Sequence, residues 1–96
     1  MLDDVLKEAD GLVHGARNKT YGHPLDDYRR VVDIFRAITG IELTPDAGAL
    51  FMLSVKLARL GHNYEQDLTH RDSIVDAAGY LWCFGVISEA LGKSTT

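Results

Sequence analysis

Apolar residues recur at helical spacing along most of the chain. Between Leu2 and Arg17 they fall at Leu2, Val5, Leu6, Ala9, Leu12, Val13 and Ala16, the pattern of one apolar face on a helix. Gly11 and Gly15 weaken that segment by about 1 kcal/mol each relative to alanine. The stretch from Asn18 to His23 breaks the period and reads as a loop. Pro24 then suits the first position of a second helix, where its missing N–H costs nothing. Asp26 and Asp27 follow in its first turn, at the positive end of the helix dipole. Leu25, Tyr28, Val32 and Phe35 form its apolar stripe, and Gly40 ends it. Thr44-Pro45, a capping residue before a proline, opens a third helix that runs to about Leu60 and stops at Gly61. His62 to Arg71 is polar and irregular, and a fourth helix runs from about Asp72 to Leu91. No strand alternation competes. The pattern predicts one all-α domain over residues 1–92, a four-helix bundle, with residues 93–96 as a frayed C-terminal tail.

The third and fourth helices are apolar nearly all round, and such helices are buried on all sides. The two amphipathic helices cannot cover both within one copy, so the pattern predicts self-association. A membrane span is the weaker reading. The run from Ala77 to Ile87 is shorter than the roughly 20 apolar residues a span needs, and Asp76 stands at its edge. The length of 96 residues fits a single domain, and the lone Cys83 fits a reducing, cytoplasmic setting. There is no basic segment before an apolar one, hence no signal peptide. A net charge of −4 is a poor match for nucleic acid.

The polar residues inside the apolar helices carry the chemistry. Lys56 and Arg59 share a face of the third helix with Gly48, Met52 and Asn63. Asp72 and Asp76 share a face of the fourth with Gly79 and Cys83. Antiparallel pairing would bring the two stripes of opposite charge together, while Gly48 and Gly79 allow close approach. Three readings stay open. One is a structural ion-pair network. The second makes Thr69-His70-Arg71-Asp72 a capping box. The third is a phosphate and divalent-metal site, since Mg²⁺ takes one or two carboxylates plus substrate phosphates. Asp26, Arg29, Asp33 and Arg36 form a stripe of alternating sign on the second helix, read either as a solvated face or as a further carboxylate source. The segment with Arg17, Lys19, Tyr21, Gly22 and His23 sits just before a helix start, where anions bind and a tyrosine could stack on a base. Zinc, P-loop and Rossmann patterns do not occur.

Tyr21-Gly22, Lys56-Leu57-Ala58-Arg59-Leu60, His70-Arg71-Asp72 and Asp76-Ala77-Ala78-Gly79-Tyr80 together resemble a group of small phage and prophage proteins of unassigned function. That group in turn is similar to the MazG-like all-α nucleoside triphosphate pyrophosphohydrolases. The resemblance runs over roughly Arg17 to Ile87. It implies a helical homodimer or homotetramer that uses Mg²⁺ to cleave a nucleoside triphosphate to monophosphate and pyrophosphate. Metal would fall to Asp72 and Asp76, helped by Asp26 or Asp33, because those hydrolases use a Glu-x-x-Glu that this chain lacks. Lys56, Arg59 and Asp76 would be catalytic. Arg17, Lys19, Tyr21, His23 and Tyr80 would contact the nucleotide. A non-catalytic nucleotide or phosphate module, or a structural or host-interacting phage protein, are the alternatives.

Overall fold

Thr44 and Pro45 act as their side chains dictate. In the computed structural model, which describes residues 2–96 without the side chains of residues 2, 16 and 17, Thr44 Oγ1 accepts from the Ala47 N–H at 3.4 Å. Pro45 follows as the first helical residue. The described chain forms α1 (Leu2–His14), α2 (Ala16–Tyr21), α3 (Pro24–Thr39), α4 (Pro45–Glu65) and α5 (Arg71–Ala90), with no strand.

Three boundaries differ from the sequence expectation. The first helix breaks at Gly15, and the presumed loop continues as α2 as far as Tyr21. A Cβ at Gly15 would lie 2.5 Å from the Gly11 carbonyl oxygen, so the backbone at this break needs glycine. The third helix passes through Gly61 to Glu65. One glycine costs about 1 kcal/mol in a helix, too little to end one whose other face is packed. The stop comes instead after Gln66, where Asp67 turns left-handed at φ 60° and Leu68 N–H donates back to Asn63 O at 2.9 Å. The cap of α5 is His70 rather than Thr69. Its Nδ1 accepts from Ser73 N–H at 3.3 Å and contacts Ser73 Oγ at 2.6 Å. That replaces the expected Thr69–Asp72 capping box.

Helix α5 is the centre of the packing, with α4, α1 and α3 all against it. Val5, Ala9 and Val13 recur every fourth residue and are the buried line of α1. Val5 and Ala9 cluster with Val75, with Ile74 and Ala78 beside them. A second cluster joins Tyr28, Ala49, Cys83 and Ile87, so Cys83 is a buried thiol outside any disulfide. Gly48 sets the distance between α3 and α4. A Cβ there would lie 2.9 Å from Val32 Cγ1 and 3.3 Å from Tyr28 Cδ1. Gly79 is less constrained, since a Cβ there would meet Val13 at an ordinary 3.7 Å.

Much apolar surface stays uncovered in one copy. Ile34 and Ile38 are 61% and 78% exposed on α3, and Phe51 and Leu57 on α4 and Leu81 on α5 are each more than half exposed. Among the described residues no helix is long and apolar enough to cross a membrane.

The tail begins later than expected. Lys93 Nζ donates to the buried carboxylate of Asp46, joining the C-terminus to the first turn of α4. The lysine, with Thr44 adding to it against the effect of burial, holds the Asp46 carboxyl below the ordinary aspartate range. A folded value below the unfolded one adds stability above the unfolded value of about 3.9, and the gain is lost as pH falls through the folded value. Lys93 itself is largely exposed, which weakens the pair. Lys93→Met is therefore expected to cost about 1 kcal/mol at neutral pH and less near pH 2. Urea melts at the two pH values check this, and an equal loss at both would contradict it.

Candidate functional site

Aromatic side chains from three helices converge on one cavity of about 310 Å³. Tyr21 comes from α2, Tyr28 from α3, and Tyr80 and Trp82 from α5, with Val13 and Met52 completing the apolar wall. Asn18 and Asp27 are its polar members. Each piece has a local cause. Gly22, at φ 77°, ends α2 with its N–H donating to Asn18 O at 2.8 Å. His23 caps α3, its Nδ1 accepting from Leu25 N–H at 3.1 Å. Arg30 donates to Tyr21 O at 2.9 Å, and the same guanidinium nitrogen lies 4.0 Å from Asp27 Oδ1. Arg30 thus ties the end of α2 to the first turns of α3. Gly48 makes room for the Tyr28 ring. The His14 ring meets Trp82 edge-on at 4.8 Å.

From this cavity a line of polar residues runs along the α4–α5 seam. Lys56 lies one turn beyond Met52, and Asp76 one turn before Tyr80. Lys56 Nζ and Asp76 Oδ2 are 3.1 Å apart, with the two side chains 12% and 31% exposed. This is the contact that matched spacing predicts. The second half of the expected network does not form: Arg59 and Asp72 are both exposed and make no ion pair with each other. Arg59 instead lines a more open hollow with His62, Asn63 and His70. His70 Nδ1 is an acceptor for the α5 cap, so the neutral ring carries its proton on Nε2.

The other expected site residues divide clearly. Tyr21 and Tyr80 line the cavity. Lys19 and His23 are exposed beside it in sequence, and the Arg17 side chain lies outside the described residues. Asp26 is exposed and 4.0 Å from Arg29, and Asp33 is exposed as well. Among the described residues no three His, Cys, Asp or Glu side chains are placed to hold a metal ion. Asp33 and Asp72 are likewise exposed, and Asp76 is engaged by Lys56. Elsewhere Arg71 pairs with Glu8 at 2.6 Å, which raises the guanidinium pKa further and fixes α1 to the start of α5.

Asn18, Asp27 and Trp82 are not among the site candidates that the sequence pattern marks, and Tyr28 and Met52 enter there only as helix-face residues. The signal available was aromatic density, since the cavity takes four of the eight aromatic residues in the chain.

Two curated relatives show the same stretch of sequence. The chain is similar to the Gene 55 protein of Mycobacterium phage D29, 38% identical over 90 residues that cover 93% of this chain and 56% of the relative. It is also similar to the Gene 55 protein of Mycobacterium phage L5, 32% identical over 77 residues that cover 79% of this chain and 47% of the relative. The chain thus spans about half the length of the curated relatives it matches. No solved structure matches it. The model of a domain of unknown function, DUF6378, matches residues 4–88, and the chain belongs to that family.

Proposed function

We propose that this domain binds a nucleotide, with the base among the aromatic side chains of the cavity and the phosphates along the α4–α5 seam. The aromatic cavity is the observation that carries the reading. Stacking on aromatic faces contributes about 1–3 kcal/mol per base and suits a pocket with few polar groups. The seam supplies the cations. Met52 and Arg59 are separated by roughly 10 Å along the helix axis, with Lys56 between them. A phosphate chain leaving the cavity along that line would meet first an ammonium and then a guanidinium.

Trp82 is the one tryptophan of the chain and lines the cavity, so its fluorescence reports occupancy directly. A nucleoside triphosphate is expected to change that fluorescence saturably. Tyr80→Ala should weaken binding about tenfold or more through lost stacking. A linear response up to millimolar nucleotide would end the reading.

A second reading is Mg²⁺-dependent cleavage to monophosphate and pyrophosphate, favoured by the resemblance to MazG-like hydrolases. It requires carboxylates beyond those one chain gathers. Asp26, Asp33 and Asp72 are exposed and accessible to a second copy. Self-association is part of this reading, supported by the uncovered Ile34, Ile38, Phe51 and Leu57. Light scattering at micromolar concentration should give at least a dimer mass, and a monomer would remove the only source of the missing carboxylates.

A further inference from the structure

Among the described residues that line the aromatic cavity, the charged one is Asp27. Its side chain is 29% exposed, and its ion-pair contact is to Arg30 at 4.0 Å, beyond hydrogen-bond distance. No side-chain hydrogen bond from a described residue uses its oxygens. A half-buried carboxylate on an apolar wall, with acceptor capacity left over, calls for donors from a ligand. Resting on the nucleotide reading above, we propose that Asp27 selects guanine.

The argument is one of donor pattern. An ionised carboxylate only accepts hydrogen bonds, and its two oxygens match two adjacent N–H donors. Guanine offers such a pair, its ring N1–H beside the exocyclic 2-amino group. Adenine and cytosine present an amino donor beside a ring nitrogen acceptor, which a carboxylate repels. Uracil and thymine present one N–H between two carbonyls. The Asn18 amide, which also lines the cavity, has both a donor and an acceptor, and so can serve a carbonyl such as guanine O6. A site built around such a pair rejects analogues that leave a buried polar group unmatched.

Calorimetry with GTP, ITP, ATP and dGTP, in chelator to prevent turnover, tests this. Inosine differs from guanosine only by the missing 2-amino group. GTP and dGTP are expected to bind alike, and at least about tenfold more tightly than ITP or ATP. In Asp27→Asn, where one acceptor becomes a donor, the GTP preference over ITP should vanish. Equal affinity for GTP, ITP and ATP would overturn the guanine assignment and leave nucleotide binding standing. A preference for GTP over dGTP with ITP equal to GTP would overturn it too, by giving the carboxylate to the ribose hydroxyls. Binding of none of the four removes both readings. Should Asp27→Asn fail to fold, the GTP-to-ITP ratio of the unmodified chain still decides.

Discussion

Asp76→Ala is expected to lower the free energy of unfolding by about 2–4 kcal/mol, because it strands a charge. The Lys56 side chain is only 12% exposed and has its ammonium 3.1 Å from the Asp76 carboxylate. Removing the carboxylate leaves that ammonium in the helix seam without its partner and with little access to water. Removing both charges is different. Lys56→Met with Asp76→Leu replaces the pair by apolar side chains of similar reach, and such replacements are close to neutral or stabilising. The double variant should therefore recover most of the loss, as read from urea melts followed by Trp82 fluorescence. A single variant as stable as the parent would show that the pair is solvated. The same set separates structure from binding. Lys56→Met should weaken triphosphate binding much more than nucleoside binding, because in the proposed arrangement only the phosphates reach the seam. A uniform loss for both ligands would point to damaged packing instead.

The parts of this arrangement that could be read from sequence are those with short-range causes. Thr44-Pro45 and Pro24 mark helix starts through local hydrogen bonding and fixed φ, and both starts are observed. The Lys56–Asp76 contact follows from equal spacing on two antiparallel helices. Boundaries that depend on tertiary packing were not readable. Gly61 is a poor helix residue, but α4 continues through it to Glu65. Gly15 was legible as a weak point of the first helix, but not that the chain would resume as α2 beyond it. The docking of Lys93 onto Asp46 joins residues 47 apart, so the tail looked free until the fold was known. The cavity is the clearest case. Tyr21 and Tyr80 were legible as candidates, whereas Tyr28 looked like ordinary core because the same helical period describes a packed face and a cavity wall.

Tyr28→Ala is expected to have the largest effect of any single change, about 3–5 kcal/mol, the usual cost of deleting a buried aromatic ring. Tyr28 is 6% exposed and does two jobs. On one side it packs with Ala49, Cys83 and Ile87, and on the other it walls the aromatic cavity. Gly48 has no Cβ, so α3 and α4 approach closely beside the ring. Deleting the ring empties space in the second core cluster, and the stiff neighbour Val32 cannot rotate to fill it. For a domain whose whole stability is about 5–15 kcal/mol, the loss is a large fraction. Ile87→Val distinguishes the two jobs. Ile87 is fully buried in the same cluster but does not line the cavity. It should lose about 0.5–1.5 kcal/mol and keep the Trp82 response to nucleotide. Tyr28→Ala, measured at low temperature where it remains folded, should lose that response as well. If Tyr28→Ala kept full nucleotide affinity while losing stability, the ring would be core alone, and the ligand would have to sit on the Tyr21, Tyr80 and Trp82 side of the cavity.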